Sequence, residues 1–123
     1  MTDDCALSYG IAQQRFESRD YRGVIRVLAD VVEQTPDEVG PRMLLARAYY
    51  HAALLAPAEK NLREILERDP TEWYAHLMLA RTLERLSRAD EAIPHRRIVA
   101  AMTGDDSHLG RHGPMAVSAP TDS

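Results

Sequence analysis

VGPRMLLARAYYHAALLAPAEKNLREILERDPTE, residues Val39 to Glu72, decides how the rest of the chain is read. Apolar residues recur at Leu44, Leu45, Ala48 and Tyr49, and again at Ala58, Leu62, Ile65 and Leu66, the three-and-four spacing that lines one face of a helix. The first helical half runs out at Ala52-Ala53. The second opens at Pro57, whose fixed φ suits a first helical turn, and closes at Asp69-Pro70, which cannot continue a helix. The stretch is therefore an αα-hairpin. A lone pair of helices leaves apolar surface that a neighbour must cover, so further copies are expected on either side.

Upstream, a helix is expected over Cys5 to Ser18, with Leu7, Ile11, Ala12 and Phe16 on one face and a stop at Ser18-Arg19-Asp20. A second follows from Tyr21 to Gln34, apolar at Val24, Ile25, Leu28, Val31 and Val32 and ended by Thr35-Pro36. Pro36 and Pro70 stand thirty-four residues apart. A true period must place like residues at other offsets as well. Ile11, Leu45 and Leu79 align, as do Ala12, Ala46 and Ala80; Val24, Ala58 and Ala92; Leu28 and Leu62; and Val31, Ile65 and Val99. The chain therefore divides into an N-terminal tail 1–4, three copies at 5–38, 39–72 and 73–106, and a remainder 107–123. Small residues in the alanine columns let the two helices of a hairpin approach closely, and larger ones fill the space between hairpins.

A thirty-four-residue helix-turn-helix with Ala46, Tyr49, Ala58 and a closing Pro70 resembles the tetratricopeptide repeat family. The resemblance runs from Cys5 to about Asp106. It implies an all-α fold, a right-handed superhelical array of three helix-turn-helix hairpins with six helices. The first copy departs from the pattern at Arg15 and Val24. The third departs more, with Leu83 for the tyrosine, Pro94 inside its second helix and Gly104 in place of proline. Such arrays need capped ends. Nothing after Asp106 reads as a helix, and Arg96 occupies the column of Leu28 and Leu62. The last helix, Ala89 to Met102, is therefore expected to cap the array itself; the alternative is that a second molecule covers Ile93, Val99 and Met102. The remainder, rich in Gly, Pro, Ser and Asp, is expected to be a disordered tail.

With 123 residues, 45% hydrophobic and 28% charged, the chain has the size and balance of one soluble domain, and its six glycines argue against a turn-rich β fold. The net charge of −4 supplies no basic field for nucleic acid or an anionic membrane surface. No run approaches the roughly 18 apolar residues of a spanning helix, and the start MTDDCALSYG has neither a basic nor an apolar targeting segment. Cys5 is the single cysteine, so no internal disulfide forms, and the expected compartment is the cytoplasm. Fourteen of the fifteen basic residues are arginine, Lys60 being the exception, a bias expected from genomic codon usage, the alternative being selection for forked recognition of carboxylates.

No catalytic constellation is found. Glu59–Arg63 and Glu64–Arg68 read as i,i+4 pairs on a solvated face. Cys5 lies beside Asp3 and Asp4, which disfavour a thiolate. His51 and His76 are candidates to pair in space, without a third group to orient them. His108 and His112 lie among glycines that oppose a shared metal site. No cofactor is expected. The informative positions are the spare residues of each first helix, which the family resemblance places in a concave groove: Tyr9, Gln13 and Glu17; Met43, Arg47, Tyr50 and His51; and Tyr74, Leu77, Arg81 and Arg85. Arg47 and Arg81 share a register position, and two guanidiniums among tyrosines suit an acidic or amphipathic peptide or helix of another protein. The alternative is that they solvate an unused concavity or pair with Glu17 and Glu84. Family members that grip acidic chaperone tails use Lys, Asn and Arg where this chain has Tyr9, Gln13, Leu44, Tyr74 and Met78, so that particular clamp is absent. The expected function is a protein-interaction module, the alternative a scaffold that self-associates, for instance as a homodimer, through the ends of the stack.

Overall fold

The computed structural model describes residues 2–109, with side chains over residues 5–109. Six α-helices follow in order: α1 (Thr2–Glu17), α2 (Tyr21–Gln34), α3 (Val39–His51), α4 (Leu55–Arg68), α5 (Trp73–Arg85) and α6 (Ala89–Thr103), with a closing 3-10 turn over Asp106–Leu109. No strand occurs among the described residues. Each odd helix packs on the even helix after it, α2 packs on α3 and α4 on α5, and α3 touches both α1 and α5. The fold is three stacked hairpins.

The period is written into the backbone. The non-glycine residues with positive φ are Arg19, Ala53 and Ser87, at 63°, 62° and 63°, thirty-four residues apart. Each sits just past the first helix of its hairpin and bends the chain through the same pair of bonds. The amide of Asp20 donates to the Arg15 carbonyl, that of Leu54 to Tyr49 and that of Arg88 to Leu83, all at 2.8 Å. This six-to-one closure of a helix end ordinarily uses glycine at the left-handed position. Here Arg, Ala and Ser take it, at a local cost of about 1 kcal/mol each. In the first hairpin the cost is offset by a cap: Asp20 accepts from the Gly23 amide at 2.9 Å, and Arg15 lies 3.1 Å away. Together they hold the Asp20 carboxyl below its ordinary range. Glycine at 23 leaves room for this cap, since a Cβ there would lie 2.2 Å from an Asp20 carboxylate oxygen and displace it.

Two clusters make the core. One joins Ala12, Val24 and Leu28 to Leu44, Leu45 and Ala48; the other joins Ala46, Leu62 and Ile65 to Ala75, Leu79, Leu83 and Ala92. The alanine columns, Ala12–Ala46–Ala80 and Ala58–Ala92, are fully buried, as expected of positions where helix backbones come close. Leu28, Leu62, Leu79 and Leu83 are likewise sealed from water, each worth about 1.5–3 kcal/mol relative to exposure.

Several expectations need correction. Helix α1 begins at Thr2 rather than Cys5, taking residues 2–4 into the first hairpin. Helix α4 begins at Leu55, so Pro57 falls inside its first turn, where its missing N–H costs nothing. Glu64 does not pair with Arg68. It serves the buried Arg42, while Arg68 reaches Asp37 at 2.9 Å. Glu59 is not on a solvated face either. Its side chain is mostly covered, and it links α4 to the start of α6 by accepting from Arg88 at 2.8 and 3.0 Å.

The last helix carries a charged contact at its own end, while Val99 is buried and Ile98 and Met102 stay exposed. Arg96 donates to both Glu84 carboxylate oxygens at 2.6 and 2.9 Å and to the His108 carbonyl at 3.0 Å. The bond to His108 docks the 3-10 turn against α6, so residues 107–109 belong to the folded unit and not to a tail. Gly104, at φ 72°, turns the chain into this cap where the other copies use proline. The rest of the expected tail, with His112, lies outside the described residues.

Candidate functional site

A cleft of about 860 Å³ opens between the first helices of the three hairpins. Its walls carry Tyr9, Gln13 and Glu17 from α1, Met43, Arg47 and His51 from α3, and Tyr74 from the start of α5. Tyr9 fits because residue 40 is glycine: a Cβ there would stand 3.1 Å from the phenol oxygen, tighter than ordinary packing.

Arg47 is the centre of this surface. Its guanidinium lies 4.5 Å from the ring centre of Phe16 and 5.8 Å from that of Tyr74, spanning the cleft from the first hairpin to the third. Attraction to the two π faces fixes the cation in place without neutralising it. Among the described residues no carboxylate forms an ion pair with it, and Glu84, suggested as a partner for Arg81, is engaged by Arg96 at 2.6 Å.

Beside Arg47 the aromatic rings form a continuous floor. Phe16 meets Tyr21 edge-on at 5.2 Å, and Tyr21 stacks on His51 at 4.9 Å with the planes 19° apart. His51 is held below its ordinary value of 6.5, first by partial burial and then by Arg47, Arg85 and Arg19. Three guanidiniums therefore act on one imidazole. The charges acting on His51 are positive although the chain as a whole is negative, and Glu17 and Glu72 stand elsewhere on the same cleft.

Seven of the expected groove residues line the cleft: Tyr9, Gln13, Glu17, Met43, Arg47, His51 and Tyr74. Tyr50 and Arg85 sit together beside it, the Arg85 guanidinium 4.8 Å over the Tyr50 ring and donating to the Tyr50 carbonyl at 3.1 Å. Leu77 does not reach the cleft. It is 5% exposed, because its side of α5 packs into the stack. Arg81 is exposed but outside the cleft, although it repeats the register of Arg47. From α5 the cleft takes Tyr74, about two turns before Arg81. His51 and His76 do not meet either: His51 faces Tyr21 on α2, and His76 turns toward α6.

Sequence reading passed over Phe16, Arg19 and Tyr21, which it assigned to packing or to a turn. The signal was the pair of aromatics flanking a tight turn, which brings both rings to the same rim. No group of three or more metal-ligating side chains occurs among the described residues. No helix among them is long and apolar enough to cross a membrane.

No protein-family model matches the chain, and no curated protein matches it in sequence. Solved structures do. An Arg-to-Glu mutant of MamA superposes with a TM-score of 0.76 at 21% identity, covering 81% of this chain and 73% of its own. The crystal structure of MamA protein gives a TM-score of 0.78 at 20% identity, over 85% of this chain and 57% of that one. What they share is the fold. An Asp-to-Lys mutant of MamA gives 0.64 at 23% identity, covering 86% and 59% respectively, so the chain spans little more than half the length of two of these three structures.

Proposed function

We propose that the chain is a tetratricopeptide-type interaction module whose cleft takes an extended peptide or helix of another protein, with an acidic side chain docking at Arg47. The observation that carries this reading is the unanswered cation. A guanidinium clamped between Phe16 and Tyr74, with no carboxylate of its own, leaves its hydrogen-bonding edges for a ligand carboxylate to engage. The lowered His51 supports the same polarity, since the surrounding arginines penalise a further positive charge there and favour a negative one. An array of random twelve-residue peptides, probed with the full chain and with Arg47→Glu, tests it. Enrichment of Asp/Glu-containing peptides that vanishes with Arg47→Glu is expected; equal binding by both chains removes the cleft as the site.

One observation favours a second reading, self-association through the N-terminal end of the stack. Leu7 and Ile11 are 66% and 39% exposed, yet the residues thirty-four further on, Pro41 and Leu45, are buried, as are Ala75 and Leu79 beyond them. Among the described residues this face of helix α1 is left uncovered. A second copy that pairs α1 against α1 would cover this face on both molecules. Sedimentation at two concentrations, with Leu7→Glu as control, decides it: a strict monomer ends this reading.

A further inference from the structure

His76, on α5, is 6% exposed and makes two contacts through its ring nitrogens. Its Nε2 lies 2.8 Å from the carbonyl oxygen of Pro70, and its Nδ1 lies 2.9 Å from Nδ1 of His95 on α6. These distances fix the protons. A carbonyl oxygen only accepts, so His76 Nε2 carries the hydrogen, and the Nδ1 of the neutral ring is bare. That atom must accept, and His95 Nδ1–H donates to it. The bond ties α6 to α5, and through Pro70 to the turn between the second and third hairpins.

The corresponding pair in the second hairpin, thirty-four residues earlier, is Arg42 and Asn61, joined at 2.8 Å. Neither of those side chains changes charge near neutral pH. The third hairpin alone places two imidazoles in this register.

We propose that His76 and His95 form an acid-sensitive latch on the third hairpin, closed while the pair is neutral and opened by protonation, so that α6 comes away from α5 while the second hairpin stays packed. One proton can be taken up at His95 Nε2 with the bond intact. A second would have to enter at His76 Nδ1, where it would set two N–H groups against each other across 2.9 Å. The surroundings work against even the first. His95 is half-buried and faces Arg63 of α4 as well as His76 of α5, and burial and those two groups together hold it below its ordinary range. The nearest acids are already engaged: Glu59 of α4 pairs with Arg63 at 2.9 Å and with Arg88, and Glu91 of α6 pairs with Arg88 at 2.8 Å. Tyr74, a wall of the cleft, lies between the tethered Pro70 and His76, so opening would loosen that wall. This last consequence rests on the cleft being the binding site; the release of α6 does not.

Amide hydrogen exchange of the full chain, corrected for intrinsic rates, tests the latch at about pH 7.5 and about pH 5. Protection over α6, residues 89–103, is expected to fall about tenfold or more relative to α4, residues 55–68. In His95→Asn the side-chain amide nitrogen takes the place of Nδ1 as donor and does not titrate, so the ratio should stay constant. Ring-nitrogen NMR of the unaltered protein at neutral pH supplies a second readout, independent of how well that variant folds. It should show the Nε2–H tautomer for His76 and the Nδ1–H tautomer for His95. An unchanged α6-to-α4 ratio in the unaltered protein, an equal fall in His95→Asn, or an Nε2–H tautomer at both rings would overturn the proposal.

Discussion

Arg47 and Phe16 lie on different hairpins, yet the guanidinium of one sits 4.5 Å over the ring of the other with no acidic side chain within ion-pair distance. The contact decides which of two arginines in equivalent register matters. Reversing Arg47 to Glu should weaken binding of acidic peptides by about 2 kcal/mol, roughly thirtyfold, while the same change at Arg81 should cost less than about 0.5 kcal/mol. Calorimetric titration of one array-selected peptide against both variants checks this. Equal losses would mean that net charge, and not the cleft, sets affinity.

The imidazole of His51 reports the same field. Because Arg47 is one of the cations that depress it, Arg47→Glu should move the His51 midpoint upward, toward its ordinary value. An NMR titration of the ring protons reads the shift. A downward or absent movement would place the positive field elsewhere.

Global stability should fall on mild acidification. His51 and His95 are both depressed in the folded chain, chiefly by burial, from an ordinary value of 6.5. The unfolded chain takes up its protons as the pH drops through about 6.5, whereas the folded chain does so only lower down. Within that window the unfolded state binds more protons, so acid favours unfolding. This contribution is complete above about pH 6.5, declines below it, and levels off once the folded sites protonate too. Urea melts at a series of pH values should show the decline; stability that rises on acidification through this range would contradict the assignment.

The buried Arg42 should tolerate removal as a pair better than removal in halves. It donates to Asn61 at 2.8 Å and to the Val32 carbonyl at 3.0 Å, contacts Glu64, and leaves its own Nε without a partner. Asn61→Leu strips a bond from a buried charge and should cost about 1–3 kcal/mol. Arg42→Met with Asn61→Leu should cost less than the sum of the single changes by about 1 kcal/mol or more. Chemical denaturation of the three variants measures the coupling.

Glycine at the left-handed turn should help. Ala53 holds φ at 62° with no side-chain bond to compensate, so Ala53→Gly should raise stability by up to about 1 kcal/mol, net of the greater freedom of the unfolded chain. Thermal melts check it, and a lower midpoint would show that the turn is not strained.

By itself the sequence determined the repeat. The thirty-four-residue spacing of Ala12, Ala46 and Ala80, and the stops at Asp20, Pro36 and Pro70, follow from rules acting within a helix or between neighbours in the chain, and α2 spans Tyr21–Gln34 as its pattern predicts. What depended on contacts between hairpins was decided only by the tertiary structure. Register treats Arg47 and Arg81 as equals, and His76 with His95 as the counterparts of Arg42 with Asn61. Packing separates them. Arg47 has Phe16 on the hairpin before it and Tyr74 on the one after, whereas Arg81 lies exposed outside the cleft. Leu77 is drawn into the core for a related reason: periodicity says which face of a helix is apolar, while the packing of neighbouring helices decides how wide a stripe becomes buried.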